Sequence, residues 1–320
     1  MSNIISPVDS LQLLVDEQIA ALPLTDFPML NRLQKKTISQ QFIKWTVDVG
    51  GASATGESVT TDITTFSEEL YVPAFLPIAG ARVSSSFQLS IQDIAQAKSA
   101  GKGALRDLFA SDVDSALRTI MQKLSTNIYV GDGTNAAGGI VGLQTAGAAA
   151  GVYANIDPTT YPLWVSYVNT NASLRALTSD LLYTTDVAIT RKGGRYTAIY
   201  CSPELAVKYK QLFAAQLNIT TQLPAGQADL GYTGLSFSGR PIIQDINCPN
   251  NVLYFVDESE ISLYTYNHET SQNRGGIQVG IDLLTGHNNP NMRKYGVFTM
   301  PQLQLKNRPK AVAVLDKITQ

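Results

Sequence analysis

Charge is scarce in this chain. Asp, Glu, Lys and Arg make up 16% of its 320 residues, against about a quarter in ordinary soluble domains. A surface so poor in charge expects to be covered by partners. The two signs nearly cancel, leaving a net charge of −2. A protein whose main task is to grip nucleic acid needs a clustered positive excess to neutralise phosphates, so that class is excluded and any contact with DNA is expected to be weak. There are two cysteines, Cys201 and Cys248, too few and too far apart for a disulfide framework, and no Cys/His spacing suits zinc. Two free thiols are expected. No apolar run approaches the roughly 20 residues that span a bilayer, and the opening MSNIISPVDSLQLL has no basic region of the signal-peptide kind. A subunit made in the cytosol, with no membrane partner, is the expectation.

Recognisable catalytic patterns are missing too. His268 and His287 sit in polar contexts with no neighbour at metal-ligand spacing, and His268-Glu269 has no second His four positions on, which excludes the zinc-protease helix. No Ser occupies a Gly-x-Ser-x-Gly elbow. The glycines at 131, 133, 138 and 139 follow a helical pattern where a phosphate-binding loop must precede one, and no Gly-Lys-Ser/Thr occurs. Glu258 and Glu260 could share a strand face, but at a strand start solvation is the ordinary outcome. The basic run at 191–195 reads as a hairpin tip. No enzyme activity, cofactor or metal is therefore expected.

What is present begins with the stretch from Lys102 to Leu143. Leu105, Leu108, Phe109, Val113, Ala116, Leu117, Ile120, Met121, Leu124 and Ile128 fall in the i, i+3, i+4, i+7 rhythm of one helical face. Arg106, Asp107, Asp112, Asp114, Arg118, Gln122 and Lys123 take the other. A helix over 103–128 would run roughly 39 Å at 1.5 Å per residue, and Ser111 and Asp112 are N-cap types at which it could break; a continuous helix is expected. Gly131 and Gly133 are expected to stop it by adopting positive φ.

The run NIYVGDGTNAAGGIVGL that follows resembles the helix, GDGT, spacer, GL signature of Hong Kong 97-type major capsid proteins, the shell subunits of tailed bacteriophages. Gly131, Asp132, Gly133, Thr134, Gly142 and Leu143 carry the match. A second match lies in YTGLSFSGRPIIQDINCPNNVLYFVDESEISLYTY, which is similar to the end of that family's central domain through Gly239, Pro241, Ile242, Asp245 and Asp257.

Val8, Leu11, Leu14, Val15, Ile19 and Leu22 predict a short amphipathic helix over 8–22, ended by Pro23 and Pro28. Some 35 residues precede the first strand, too few for the built-in scaffolding domain of some capsid proteins. From Phe42 to Leu89 the pattern alternates as a long hairpin, its arms joined by the small polar stretch GGASATGESVTTD. From Trp45 to Ala81 it holds five acids, Asp48, Glu57, Asp62, Glu68 and Glu69, and no Lys or Arg. An arm charged with one sign gains steering and register on a basic neighbour, and the expected docking residues are Lys102, Arg106, Arg118 and Lys123 around the long helix. A solvated acidic loop is the alternative. Residues 144–162 read as an interdomain linker. A helix carrying Leu174 to Ile189, a strand over 196–201, a helix over 204–217, the strands of 232–266 and terminal strands over 296–305 and 310–315 follow; the terminal strands are expected to return to the long helix.

The resemblance implies an α+β fold with an N-terminal arm (1–41), an extended β-hairpin loop (42–89), a peripheral domain with a long spine helix (90–145 and 285–320) and an axial α/β domain (146–284). It implies a shell protein that assembles with itself as pentamers and hexamers into an icosahedral head enclosing double-stranded DNA, with separate scaffold, portal and cement proteins as possible partners. An encapsulin-type compartment is the alternative within the fold, and a soluble α/β enzyme the alternative outside it. Some capsid proteins of this kind bond neighbouring subunits through an arm lysine and an asparagine. No lysine lies between Lys44 and Lys98, so here the arm's tip offers no amine nucleophile, and a non-covalent shell is expected.

Overall fold

The structure is a computed structural model that describes residues 27–51, 68–78, 80–100, 102–213, 235–266, 273–274, 277–280 and 292–319. The helix expected over 8–22, the hairpin tip with Glu57 and Asp62, residues 214–217 of the second expected axial helix, and both histidines lie outside the described residues.

The chain enters through a short helix α1 (Pro28–Arg32) and a strand β1 (Gln34–Ile38). β1 reads Gln-Lys-Lys-Thr-Ile and is almost wholly exposed. It has no apolar alternation to announce it, and it exists because its backbone pairs in parallel with a later strand. The hairpin follows as β2 (Phe42–Asp48) and β3 (Tyr71–Pro77), antiparallel in full register from Phe42 opposite Pro77 to Asp48 opposite Tyr71. Strand β4 (Val83–Ser90) leads through α2 (Ile91–Ala100) to the spine, α3 (Lys102–Val130). The spine runs unbroken across Ser111 and Asp112 for 29 residues, about 43 Å. Val113, Ala116, Leu117, Ile120, Leu124 and Ile128 are buried along it as the periodicity predicted.

After a short helix α4 (Leu143–Ala146) come β5 (Tyr167–Asn169), α5 (Ser179–Arg191), β6 (Ala198–Cys201), α6 (Pro203–Phe213), β7 (Ser236–Phe237), β8 (Arg240–Gln244), β9 (Leu253–Val256) and β10 (Ile261–Tyr266). The chain closes through β11 (Asn273–Arg274), β12 (Ile277–Gly280), β13 (Met292–Thr299), β14 (Pro301–Leu305), α7 (Arg308–Ala311) and β15 (Val312–Leu315). α5 begins later than expected, because the Thr178 hydroxyl accepts from the Leu181 amide and caps it there; Leu174 is left outside it and exposed. The basic residues at 191–195 form the turn that ends α5, with Gly193 at φ +69 and the Gly194 amide bonded to the Ile189 carbonyl. That replaces the expected hairpin tip.

Among the described residues four sheets result: β1-β10-β14, β11-β12-β13-β4, β5-β15-β9-β6-β8-β7, and the hairpin β2-β3. Two expectations change. β4 does not extend the hairpin; it pairs residue for residue with β13, from Val83 opposite Thr299 to Ser90 opposite Met292. β15 lies inside the six-stranded sheet between β5 and β9 and meets the spine's core only through the face that carries Val312 and Val314. Alternation predicts a strand and leaves its sheet open, since any sheet with one apolar face suits it.

The six-stranded sheet explains the continuous apolar runs that build it. Every residue of β6, β9 and β15 is buried, and successive side chains leave a strand on opposite faces. Ala198, Tyr200, Tyr254, Val256, Val312 and Val314 join the core that contains the spine. Their neighbours Ile199, Cys201, Leu253, Phe255, Ala313 and Leu315 join a second core under α5 and α6. One sheet thus separates two cores, the arrangement that makes a strand apolar throughout.

Candidate assembly surfaces and the contacts that fix them

The GDGT loop is a closure device. Asp132 Oδ1 accepts from the Thr134 amide at 3.0 Å and the Thr134 hydroxyl at 2.7 Å, and these bonds hold its carboxyl below the ordinary range. Gly133 takes positive φ, +79, as expected. Gly131 does not; its missing side chain serves close approach, since a Cβ there would lie 2.5 Å from the Ile140 carbonyl oxygen. Gly142 comes back onto the same spot, where a Cβ would meet the Asn127 oxygen at 2.5 Å, and its amide bonds to the Gly131 carbonyl at 2.9 Å. Asn127, buried on the last turn of α3, donates to Ala137 O. The match residues therefore act by geometry, turning the chain back against the spine's end.

Two further anchors connect that loop to the rest of the molecule. Gln302 is fully buried; its amide donates to Pro77 O at 2.8 Å and Gly139 O at 3.0 Å, and its oxygen accepts from the Val141 amide at 3.0 Å. The base of the hairpin, the GDGT loop and β14 thus share one side chain. At the spine's last turn, the Tyr129 hydroxyl donates to Asp245 Oδ2 at 2.8 Å. Asp245 directly follows β8, so the spine and the six-stranded sheet are tied through a residue that is 1% exposed. Burial pushes the Tyr129 hydroxyl pKa up, so it remains a donor. Asp245 carried part of the family resemblance, and its partner had no signal in the sequence.

Residues 144–162, expected to be a linker, are a built module. Arg308 is fully buried and donates to five backbone carbonyls, those of Ala146 (2.8 Å), Ala148 (2.8 Å), Ala150 (3.2 Å), Gly151 (2.9 Å) and Trp164 (3.2 Å). Its guanidinium also lies 5.8 Å from the Tyr153 ring centroid. Small residues here keep the carbonyls accessible to one planar fork. Low complexity reads as a linker because composition says nothing about a distant arginine.

Glu258 is not left to solvent. It sits in a 3-10 turn, takes two bonds from Arg32 on α1, the second at 2.8 Å, and accepts from the Tyr200 hydroxyl. Burial raises its pKa, but the Arg32 and Tyr200 hydrogen bonds outweigh that and leave it lowered. The contact fastens the entry segment to the body. Cys201 and Cys248 are free and buried, and burial pushes the Cys201 thiol up to about 12, which makes both poor nucleophiles. Among the described residues no cluster of His, Cys, Asp or Glu could hold a metal ion, and no helix is long and apolar enough to cross a membrane.

The predicted interface residues fall into three groups. Glu68 and Glu69 are exposed just before β3, and Asp48 is exposed at the end of β2, where it accepts from the Gly50 amide at 2.9 Å. Arg118 and Lys123 are exposed on the spine; Arg118 and Gln122 line an open groove of about 540 Å3 together with Phe27, Pro28 and Ile246. Lys102 and Arg106 lie on the first turns of α3. The hairpin buries one face, through Ile43, Val47, Ala74 and Leu76, and is fastened by the Trp45 indole to Lys306 O at 3.0 Å and by the Phe75 amide to Ala154 O at 3.1 Å. Its other face presents Phe42, Lys44, Tyr71 and Phe75 to solvent, with Phe42 and Phe75 edge to face at 6.1 Å. Sequence reasoning stressed the acids and missed this aromatic face, although Tyr71, Pro73, Phe75 and Pro77 alternate in plain view.

No family model matches the chain, and no curated protein does. Solved structures do. A capsid chain of cyanophage A-1(L) is 20% identical and superposes with a TM-score of 0.76 over 92% of this chain and 93% of its own. The capsid of a native GTA particle gives 11% identity and a TM-score of 0.62 over 93% and 92%. The SrpI encapsulin of Synechococcus elongatus PCC 7942 gives 13% and 0.58 over 93% and 91%. With its long spine, its side hairpin and its six-stranded α/β sheet, the chain has the α+β fold of phage capsid subunits, the Hong Kong 97-type fold, over about nine-tenths of its length.

Proposed function

We propose that this protein is the major capsid subunit of a tailed double-stranded DNA bacteriophage, assembling with itself as pentamers and hexamers into an icosahedral head. The observation that carries the reading is the fold shared over nine-tenths of the chain with phage capsid subunits, the cyanophage likeness being stronger than the encapsulin one. The scarcity of charge and the exposed aromatic hairpin face agree with a surface meant for other copies of itself. The parts take the roles that the fold suggests: the spine and its flanking sheet form the peripheral domain, the six-stranded sheet the axial domain, and the hairpin the arm that reaches a neighbour. Asp48, Glu57, Asp62, Glu68 and Glu69 steer that arm toward Lys102, Arg106, Arg118 and Lys123 of the adjoining subunit. Separate scaffold, portal and cement proteins are its candidate further partners, and packaged DNA is touched weakly and without sequence preference. The subunit is structural and not an enzyme, and it is assembled in the host cytoplasm and found in the virion.

Size-exclusion chromatography with negative-stain microscopy of the purified full chain tests this. Shells or capsomers are expected, and a small globular oligomer under all assembly conditions would reject the shell reading. Particles isolated with a protein cargo and no DNA would favour the compartment alternative.

A further inference from the structure

The two outer edges of the hairpin differ. In an antiparallel ladder alternate residues bond across to the partner strand, and the residues between them turn their N–H and C=O outward. The Val49 amide bonds to Leu70 O and the Ile78 amide to Gln41 O, at the two ends of the paired stretch, so the odd-numbered residues of β2 face β3. Phe42, Lys44, Thr46 and Asp48 therefore turn their backbone groups outward. On β3 the outward residues are Tyr71, Pro73, Phe75 and Pro77, and that edge is closed: the prolines have no N–H, and the Phe75 amide bonds to Ala154 O at 3.1 Å. The β2 edge has no such closure. Among the described residues nothing bonds to its outward N–H and C=O groups, and the side chains of its four outward residues are exposed.

An open edge is a template for another strand, and a lysine on it ordinarily keeps other strands away. Lys44 acts so unless a carboxylate is set to face it. Asp48 lies four residues on, on the same side of the strand, and when two β2 edges meet antiparallel about a twofold axis at Thr46, Lys44 of each copy faces Asp48 of the other. Thr46 then faces its own mate. Opposite charges and paired threonines are favourable cross-strand neighbours, and the Gly50 amide occupies only Oδ1 of Asp48. The next register in either direction sets a charge against Thr46, and the one after that sets Lys44 against Lys44 or Asp48 against Asp48. We propose that β2 pairs through this edge with β2 of a second copy, joining two hairpins into one four-stranded sheet with roughly six new backbone hydrogen bonds. The face with Phe42, Tyr71 and Phe75 becomes continuous across the pair. The proposal rests on the hairpin being an arm that meets other copies, and it gives Asp48 a partner on the opposite hairpin while Glu68 and Glu69 stay available to a neighbour's spine.

Cysteine cross-linking of the full chain reads the register directly. Residues in a hydrogen-bonded antiparallel pair have Cα atoms about 5.5 Å apart, inside the roughly 4.4–6.8 Å that a disulfide spans, so Thr46→Cys should link to its mate when oxidised glutathione is added. The native Cys201 and Cys248 are buried and stay out of the reaction. A band at twice 34.5 kDa, lost on reduction, is expected. Lys44→Cys should not link to its own mate, which lies roughly 13 Å away along the strands, but should link to a chain carrying Asp48→Cys. In the Thr46→Cys background, Lys44→Asp should lower the yield about tenfold at low salt, and adding Asp48→Lys should restore it. Thr46→Pro, tested separately, removes an outward N–H and none that faces β3, so it should weaken association while the monomer's melting is unchanged. No link through position 46, an equal link through position 44, or a yield indifferent to the charge swap would each overturn the pairing. Shells that form without the link would reject the pairing and keep the shell reading, and linked pairs that never close into shells would do the reverse.

Discussion

Replacing Arg308 by Met puts the carbonyl cage to a quantitative test. The substitution keeps a long side chain and removes every donor. Five backbone carbonyls lose their partner, and because they are main chain no second substitution can make them apolar. Gly151 and Ala150 are exposed residues whose carbonyls can turn to water, Ala148 is half-buried, and Ala146 and Trp164 are buried. Counting the two buried acceptors at about 1–3 kcal/mol each gives roughly 2–6 kcal/mol of loss. Against this stands relief from burying a charge with no carboxylate beside it, a cost visible in the pKa of Arg308, which burial lowers. The net expectation is a destabilisation of about 3 kcal/mol, a large share of the 5–15 kcal/mol typical of a folded domain. Denaturant unfolding of the unassembled chain, followed by tryptophan fluorescence, suits the measurement because Trp164 accepts one of the bonds and is buried in the module. Arg308→Lys should recover part of the loss, having the charge and three donors but no fork. A midpoint for Arg308→Met within about 0.5 kcal/mol of the parent would refute the cage as a source of stability.

Three other outcomes follow from the same contacts. Reversing Glu68 and Glu69 to Lys should impair assembly at low salt and leave the monomer's melting unchanged, since both are exposed; normal assembly would remove the steering role. Because the folded pKa of Glu258 lies below its ordinary 4.5, its contribution should be complete above about that pH and fade as acid protonates the folded carboxylate. The stability gap between the parent and Glu258→Gln should therefore narrow on acidification, and a constant gap from pH 7 to 3 would contradict the linkage. Denatured particles should run as one band near 34.5 kDa, because Lys44 lies in the middle of a strand opposite Phe75 and no lysine follows it before Lys98; a ladder surviving denaturant and reductant would show a covalent bond after all.

Periodicity made the spine legible because a helix that buries one stripe must repeat that stripe, and Val113 to Ile128 do so without interruption. The doubly buried strands were legible as strands for the converse reason, that Leu253–Val256 and Val312–Leu315 are apolar at every position. Their partners were not, because register and sheet membership depend on contacts fifty or more residues apart, 52 between Cys201 and Leu253 and 146 between Tyr167 and Ala313. The polar anchors were the least visible. Gln302 sits in an alternating Gln-Leu-Gln-Leu run that suggests an outward-facing glutamine, and only the meeting of Pro77, Gly139 and Val141 around it turns it inward. Arg308 looks like any surface arginine until the five carbonyls are in place. The acids of the arm were legible as a charge pattern, since charge segregation is written in the sequence itself.

The same contacts divide rigid from reactive surface in a way that suits a shell subunit. Copies that must close a container with repeated angles need bodies that do not flex between domains. Here each joint is fixed by a buried polar bond in a set place: Tyr129 to Asp245 between spine and sheet, Gln302 between hairpin base and spine loop, Arg308 between the C-terminal segment and the module at 146–164. Buried hydrogen bonds of this sort set orientation more sharply than apolar packing, which tolerates sliding. The hairpin spends its buried face on its own subunit and keeps Phe42, Tyr71 and Phe75 outside. An aromatic face on a braced strand pair loses little conformational freedom when covered, so on the proposed shell reading apolar burial would supply adhesion there and the acids beside it direction. Charge reversal at Glu68 and Glu69 should therefore slow assembly and shift its salt dependence, whereas truncating Tyr71 and Phe75 should weaken shells already formed.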